Sequence, residues 1–303
     1  MPKLVECVPN FSEGRRPKVV ARIREAITTV DTACILDTHI DADHNRSVIT
    51  FVATPDHVVE AAFRAVAKAA ESIDMRTHQG EHPRLGATDV LPFVPIQGVT
   101  LEDCVTLAHI AGTRIAHELA IPVYFYERAA RRPDRVNLED VRRGALELLR
   151  EQIAINPDRA PDEGLPQTHE TSGAIAVGAR PFLIAFNVVL LSNDIAVARQ
   201  IARTVRARNG GLPFLKALGF QLQTRNRVQV SMNLVNYEVT GLALVYNAVH
   251  REAVRLGIEI ESAEIVGLVP HNALDREAEY FAKLENFSDE KILENQIERC
   301  SGI

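Results

Sequence analysis

The predicted strands and helices occur twice in the same order, β-α-β-β-α-β, and this repeat limits the chain to few folds. The first copy has strands at residues 3–8, 33–38, 47–52 and 89–94, with helices at 17–30 and 54–73. The second copy has strands at residues 182–191, 217–223, 228–236 and 259–266, with helices at 194–208 and 240–256. The repeat predicts an α+β fold of two ferredoxin-like subdomains, a structural duplication covering residues 1–178 and 179–303, with a helical tail from Pro270.

Further elements follow the first copy. A helix is predicted to begin after Thr100, because Asp103 stands where a capping box places an acidic residue. A strand at residues 122–126 and a helix at 137–153 come next. Residues 156–173 contain three prolines and two glycines without periodicity. They predict a long loop, and such loops in compact proteins are usually functional.

The stretch from Met75 to Pro95 is the first candidate site, because it combines His78 and His82 with several glycines and prolines. These residues predict a loop between rigid elements, where catalytic side chains concentrate. His78 to His82 also fits the zinc pattern H-x-x-E-H, with Glu81 as the base. Gly80 and Pro83 disfavour the helix that this pattern requires. Zinc binding and two surface histidines in a turn remain the alternatives at this point.

Polar residues in three other places suggest binding, a solvated strand face or a turn. Asn187 lies within an otherwise apolar strand, where its amide either braces a loop or faces a polar ligand. In the strand at residues 228–234, Gln229, Ser231 and Asn233 share one face, which fits a half-solvated sheet. Residues 37–46 lack the glycine and the final glutamate of a calcium loop, so a hydrogen-bonded turn between strands is predicted.

The composition excludes several classes of protein. With 303 residues, 46% hydrophobic and 24% charged, the chain is globular, and its net charge of −6 argues against nucleic-acid binding. The four cysteines form no C-x-x-C pair that would suggest a zinc knuckle. The N-terminal residues contain no apolar signal segment, and no apolar run is long enough to cross a bilayer. We therefore expect a cytoplasmic protein with small-molecule substrates and no membrane partner.

Six motifs taken together resemble the glutamate formimidoyltransferase family. They are LVECVPNFSEG (4–14), GEHPR (80–84) with Asp89, PVYFY (122–126), VGAR (177–180) with Asn187, QVS (229–231) and IVGLVP (265–270). The resemblance covers nearly the whole chain in order. It implies two ferredoxin-like subdomains with a folate-binding tunnel between them, in a homodimer. It also implies the stand-alone form, without the cyclodeaminase domain that is fused in animal members.

The reaction implied by the resemblance moves the formimino group of N-formimino-L-glutamate to N5 of tetrahydrofolate, in histidine degradation. Tetrahydrofolate would be the co-substrate, and no metal is expected. The resemblance assigns catalysis to His82 as general acid and base, and substrate binding to His39, Arg135 and Asn187. The implied folate-binding residues are Glu163, Gly164, Leu165, Pro166, Gln167, Thr168, His169, Glu170, Thr171 and Ser172.

Some residues depart from the pattern of the animal members. His39 stands in place of an aspartate, Glu163 and Ser172 in place of aromatic residues, and Val189 in place of an asparagine. Two alternative functions are therefore kept. One is a zinc-dependent hydrolase that uses His78, Glu81 and His82. The other is a folate-binding protein without turnover.

Overall fold

The computed structural model describes residues 3–42, 44–80 and 83–300. Cα packing separates the chain into two compact units that divide between Arg180 and Pro181. The first unit has the strands β1 (Leu4–Cys7), β2 (Asn10–Phe11), β3 (Cys34–Asp41), β4 (Arg46–Ala53), β5 (Thr88–Gln97), β6 (Val123–Glu127) and β7 (Ile175–Ala179). Its helices are α1 (Pro17–Thr28), α2 (Pro55–Ser72), α3 (Leu101–Glu118), α4 (Leu138–Val141) and α5 (Ala145–Gln152).

The seven strands of the first unit form one sheet. β1 and β2 lie one after the other between β4 and β5 and pair antiparallel with both, and β3 pairs antiparallel with the outer side of β4. Beyond β5, the sheet continues through β7 to β6, and both of these pairings are parallel. The order β-α-β-β-α-β predicted for residues 3–94 is confirmed in β1, α1, β3, β4, α2 and β5.

The two faces of this sheet bury different residues, because successive side chains of a strand point to opposite sides. One face packs on α1, α2 and α3 through residues such as Val5, Phe51 and Phe93. On the other face, Tyr124 and Tyr126 of β6 pack with Leu149 of α5. The helix α3 begins as predicted, with the side chains of Thr100 and Asp103 each bonded to the other's backbone N–H.

The structure corrects the sequence-based assignment at two places in the first unit. The sequence Gly178-Ala179-Arg180 at the junction of the predicted subdomains suggests a bend, but Gly178 and Ala179 lie in the buried strand β7. The single helix predicted for residues 137–153 is two helices. It is broken because Gly144 (φ +78°) and Ala145 (φ +53°) both adopt left-handed backbone conformations.

The second unit contains β8 (Ile184–Leu190), α6 (Ile195–Val205), β9 (Leu215–Leu222), β10 (Arg227–Leu234), α7 (Leu242–Arg255), β11 (Ile260–Val266), α8 (Glu279–Ala282) and α9 (Leu293–Cys300). Its sheet is antiparallel throughout, in the order β11-β8-β10-β9. The predicted alternation in β10 holds at Asn233, which is exposed while Val230 and Met232 are buried in the core, but Gln229 on the predicted solvated face is buried. Among the described residues, no helix is long and apolar enough to span a membrane.

The packing of α3 on the sheet predicts the effect of Gly112→Ala. A Cβ atom at Gly112 would lie 2.5 Å from Cε1 of the fully buried Phe125. Alanine is otherwise the better helix former, but this overlap should lower the free energy of unfolding by about 1–3 kcal/mol. Urea denaturation measures the change. Adding Phe125→Leu should make the double variant less destabilised than the sum of the single changes, whereas a stabilised Gly112→Ala variant would contradict the contact.

Candidate functional site

Three segments of the first unit meet at one end of its sheet. Among the described residues they are 12–16 after β2, 41, 42 and 44–46 between β3 and β4, and 75–80 with 83–86 before β5, and together we name them the turn cluster. A Cβ atom at Gly14 would lie 1.9 Å from the carbonyl oxygen of Asp41, and one at Gly80 would lie 2.5 Å from that of His44. Ser12 joins the first segment to the third, because its hydroxyl donates to the carbonyl oxygen of Gly86 over 2.7 Å. Only glycine permits these close approaches between backbones.

Asp89, at the start of β5, anchors the end of the third segment. Its side chain is buried, and Oδ1 accepts a 2.9 Å hydrogen bond from the backbone N–H of Leu85. Oδ2 pairs with Arg46 at 3.2 Å and, in a very short contact, with Arg142. Arg46 in turn donates to Oδ1 of Asn10 over 2.6 Å. One carboxylate thus ties β2, β4 and the segment after α4 to the residues that follow Pro83.

Two partly buried arginines share the carboxylate of Asp89. Burial, followed by repulsion from Arg142, lowers the pKa of Arg46 to about 10, and attraction to Asp89 partly offsets both effects. The guanidinium of Arg46 remains charged at neutral pH, and the carboxylate of Asp41 attracts it as well as that of Asp89. Arginine side chains of this kind can attract anionic ligands nearby.

His78 is held between two segments of the turn cluster. Its Nδ1 accepts a 3.0 Å hydrogen bond from Nε of Arg84, so the ring proton lies on Nε2, which donates to the carbonyl oxygen of Asn45 over 3.1 Å. Glu147 fixes the other side of Arg84 through a 2.8 Å ion pair. Burial lowers the pKa of His78, and the charge of Arg84 lowers it further, while the bond to Asn45 opposes them. His78 is therefore a neutral imidazole with both nitrogens engaged.

Glu81 and His82 lie outside the described residues, so the geometry of the expected catalytic histidine is not part of this structure. The structure does describe residues on both sides of them. Gly80 packs against His44, and Arg84 is fixed by His78 and Glu147. The residues that flank the pair are thus held by specific contacts.

His39, on β3, lies opposite Val48 of β4 and is half-buried. The hydrogen-bonded turn predicted after it is confirmed at Asp41, whose carboxylate accepts from the backbone N–H of His44 at 2.9 Å and contacts its ring Nδ1 at 2.7 Å. Burial alone would raise the pKa of Asp41, but these bonds from His44 lower it to about 2.

Arg135 is buried and holds a neighbouring loop. Its guanidinium pairs with the buried carboxylate of Asp162 at 2.7 Å and donates to the carbonyl oxygen of Ala160 over 2.5 Å. The same group lies 5.0 Å from the centre of the Tyr124 ring. In this structure, Arg135 therefore fixes the segment that leads into residues 163–172.

The predicted folate loop, Glu163 to Ser172, is tied down at both ends. Glu163 pairs through its backbone with Val123 and through its carboxylate with Arg131 at 2.7 Å. At the other end, the carbonyl oxygens of Thr171 and Ser172 accept from Met75 and Ala87 of the turn-cluster side at 2.7 and 2.9 Å. The side chains at positions 164–167 between these ends are exposed, and Leu165 is 75% exposed.

Asn187 lies in the second unit, at the centre of the face of β8 that points away from the helices. Its cross-strand neighbours are Ser231 on β10 and Glu264 on β11. Its Nδ2 donates to the Glu264 carboxylate over 3.2 Å. Because a carboxylate only accepts hydrogen bonds, this contact fixes the orientation of the amide.

Several residues of this site were missed by the sequence analysis. Asp89 stood among the motif residues without a role, and Arg46 and Arg142 gave no separate signal. The sequence did contain a signal for Glu6, because it is a lone acid in an apolar strand. It is buried, and burial raises its pKa to about 7, an effect that the charge of Arg180 partly offsets. Buried carboxyl groups with such shifts occur both in functional sites and in structural networks.

Both halves of the chain match family models. Residues 4–180 match the model described as the formiminotransferase domain, N-terminal subdomain, and residues 185–300 match that described as the formiminotransferase domain. The glutamate formimidoyltransferase of Thermoplasma acidophilum is 48% identical over 301 residues, which cover 99% of each chain. That of Streptococcus pyogenes serotype M1 is 44% identical over 298 residues, 98% of this chain and 99% of the relative.

A longer relative matches over part of its length. The formimidoyltransferase-cyclodeaminase of Gallus gallus is 42% identical over 291 residues, which cover 94% of this chain and 53% of the chicken protein. Among solved structures, a microcompartment protein from Desulfitobacterium hafniense aligns with 89% of this chain, with 9% identity and a TM-score of 0.24. Similarity that low does not bear on the fold.

The contacts of Asp89 predict a large loss of stability in Asp89→Asn. The change keeps the shape of the side chain but leaves the partly buried Arg46 and Arg142 without the carboxylate that they share, which should lower the free energy of unfolding by about 3–5 kcal/mol. Asp140→Asn is the matched control, because it removes a carboxylate from the more exposed pair with Arg143 and should cost about 1 kcal/mol or less. Chemical denaturation of both variants measures the two losses in the free energy of unfolding. Equal losses would show that Asp89 is not the anchor.

The lowered pKa of His78 predicts a contribution to acid sensitivity. Between its folded-state pKa and the ordinary value of 6.5, the unfolded chain binds more protons than the folded chain. The contribution of neutral His78 to the free energy of unfolding is therefore complete above pH 6.5, and it is lost as the pH falls towards the folded-state pKa of His78. Denaturation at roughly pH 5 and pH 7.5 gives the free energy of unfolding at each pH. The difference between these two free energies should be smaller in His78→Gln than in the wild type. His117→Gln, at an exposed position, should behave as the wild type, and an unchanged difference in His78→Gln would contradict the prediction.

Proposed function

The chain belongs to the formiminotransferase family, and on this premise we propose that it transfers the formimino group of N-formimino-L-glutamate to N5 of tetrahydrofolate. The observation that carries the proposal is the 48% identity to a glutamate formimidoyltransferase across 99% of both chains. At that identity and coverage, both subdomains of the relative have counterparts here. The substrates are small molecules, and tetrahydrofolate acts as a co-substrate in one-carbon metabolism.

The chemistry needs one group that moves a proton between two nitrogens. The lone pair of N5 attacks the amidine carbon, and a tetrahedral intermediate forms. The proton of N5 must leave, and the amino nitrogen of glutamate must gain a proton before the bond between carbon and that nitrogen breaks. A histidine with a pKa near neutrality can do both, with a contribution of about 10² to 10⁴ in rate. We assign this role to His82.

The arginines near Asp89 support the binding of a negatively charged ligand close to the turn cluster. Two arginines, Arg46 and Arg142, pair with Asp89 next to the residues that lead from Pro83 into β5. Both the glutamate donor and the folate carry carboxylates, which a positive region attracts. We further propose His39 and Asn187 as substrate contacts and residues 163–172 as the folate loop. A direct role for Arg135 would require its ion pair with Asp162 to open.

The two alternative functions have less support. Zinc binding would require a free lone pair on the imidazole of His78, but Nδ1 accepts from Arg84 and Nε2–H donates to Asn45. The residues that depart from the animal pattern motivated a folate-binding protein without turnover. Of these, Glu163 and Ser172 serve as internal anchors of the loop. Those positions can differ without removing the exposed residues 164–167, which are free to contact a ligand.

We also propose that each unit is a ferredoxin-like subdomain and that folate binds in a tunnel between them. The strand order β11-β8-β10-β9, with helices after β8 and β10, supports this for the second unit. In the first unit, the order of β3, β4, β1 with β2, and β5 supports it likewise. We place the two formiminotransferase subdomains at residues 1–178 and 179–303, close to the division between Arg180 and Pro181. A cytoplasmic homodimer completes the proposal.

The proposed role of His82 predicts a loss of turnover in His82→Ala. Steady-state assays with formiminoglutamate and tetrahydrofolate should show kcat lower by about 10² to 10⁴, because the shuttle for the N5 proton is removed. His117→Ala is the matched control, since His117 is exposed on the last turn of α3. Its kcat should equal that of the wild type. Unchanged turnover in His82→Ala would remove His82 from the mechanism.

The exposed tip of the folate loop predicts an effect of Leu165→Ser on folate affinity. Leu165 is 75% exposed, so the change should leave the stability within about 0.5 kcal/mol. Loss of an apolar contact with folate should raise the KM for tetrahydrofolate by about threefold to tenfold. Ile155→Ser, at a position that is 80% exposed, is the control and should leave KM unchanged. Equal KM values in both variants would argue against contact between Leu165 and folate.

A further inference from the structure

Asn45 is the last residue of the turn between β3 and β4, and its backbone is left-handed, with φ +48°. Its side chain is only 9% exposed. Asparagine is among the few non-glycine residues that adopt this conformation readily. The backbone at this position therefore explains why glycine or asparagine is found here, but it does not by itself explain why the side chain is buried.

The polar groups of Asn45 join all three segments of the turn cluster. Oδ1 accepts a hydrogen bond from the backbone N–H of Gly14 over 2.9 Å, and Nδ2 donates to the carbonyl oxygen of Gln79 over 2.9 Å. Its own carbonyl oxygen accepts from Nε2 of His78 over 3.1 Å. A Cβ atom at Gly80 would come within 3.3 Å of the Cβ of Asn45, so the two backbones also pack closely.

Two of these three bonds act on residues 78 and 79. These residues lie four and three positions before His82 in the sequence. The bond from Nδ2 fixes the carbonyl of Gln79, and the bond to His78 fixes the imidazole and its tautomer. We propose that Asn45 is a positioning residue for formimino transfer, which fixes residues 78 and 79, four and three positions before the histidine to which catalysis is assigned. This inference rests on the proposed function. It adds a residue that the family resemblance did not assign a role.

The second unit supplies a matched control at Asn226. This residue also precedes an arginine at the start of the second strand of a hairpin, Arg227 of β10, as Asn45 precedes Arg46 of β4. It too is left-handed, with φ +50°. Unlike Asn45, it is exposed, and its backbone N–H donates within its own turn to the carbonyl oxygen of Gln223 over 3.3 Å. Asn→Gly at either position keeps the left-handed backbone without strain, but only Asn45→Gly removes bonds to other segments.

The two bonds of the Asn45 side chain can also be separated. Asn45→Asp keeps the acceptor for Gly14 N–H but has no donor for the carbonyl oxygen of Gln79. If Asn45 served only to stabilise the turn against Gly14, the aspartate variant would behave as the wild type. If it positions residues 78 and 79, the aspartate variant should resemble Asn45→Gly.

The test combines hydrogen–deuterium exchange with steady-state kinetics on full-length wild type, Asn45→Gly, Asn45→Asp and Asn226→Gly. In Asn45→Gly, we expect amide exchange in the peptide spanning residues 76–86 to rise by about fivefold or more. We expect kcat to fall by about tenfold or more, because small displacements of a catalytic group are costly, with the KM for tetrahydrofolate within about twofold. Asn45→Asp should share both effects, and Asn226→Gly should show neither.

Several outcomes would overturn the inference. They are wild-type exchange in Asn45→Gly, faster exchange with unchanged kcat, and wild-type behaviour of Asn45→Asp. If Asn45→Gly does not fold, the Asn45→Asp variant decides alone. If the wild type itself transfers no formimino group, the proposed function fails. The exchange data then still decide whether Asn45 holds the segment, because they do not depend on turnover.

Discussion

The buried carboxylate of Asp89 is the interaction on which the arrangement of the candidate site depends. It accepts the N–H of Leu85 and pairs with Arg46 and Arg142, which come from β4 and from the segment after α4. A buried charge is tolerated only when it is paired and hydrogen-bonded. The groups paired with Asp89 therefore cannot move independently of one another. The residues that lead from Pro83 into β5 are fixed together with them.

A second set of contacts fixes the other end of the same segment. Asn45 holds Gln79, and His78 is held between Arg84 and the backbone of Asn45. A catalytic group between two such anchors can be placed closely, and placement is a large part of enzymatic rate enhancement. Burial and the charge of Arg84 keep His78 neutral, so it can position other groups but does not add to the positive charge of Arg46 and Arg142.

Much of the fold was predictable because its signals are local. The start of α3 follows from Thr100 and Asp103, and the alternation of Met232 and Asn233 marks a strand whose two faces differ in burial. β7 was missed because a short parallel strand buried on both faces shows no alternation, and Gly178 within it reads as a bend. The break at Gly144 was missed because a single glycine is tolerated in a helix, and its left-handed backbone becomes visible only in the structure.

The candidate site was predictable as a stretch of sequence, but its contacts were not. The run of His78, Gly80 and Pro83 indicated a functional loop, while the pairing of Asp89 with Arg142 joins positions far apart in the chain. Such contacts depend on tertiary packing and leave no periodic pattern. The function came from the resemblance of several motifs in order, which the comparisons with known proteins then supported.

The central claim is that this chain moves a formimino group from glutamate to a folate nitrogen. Carbon-13 NMR tests it most directly, with purified protein, tetrahydrofolate and formiminoglutamate labelled at the formimino carbon. The account predicts that the label becomes attached to N5 of tetrahydrofolate and that free glutamate appears in equal amount. Labelled formamide or formylglutamate, with tetrahydrofolate unchanged, would show hydrolysis instead of transfer and would contradict the account.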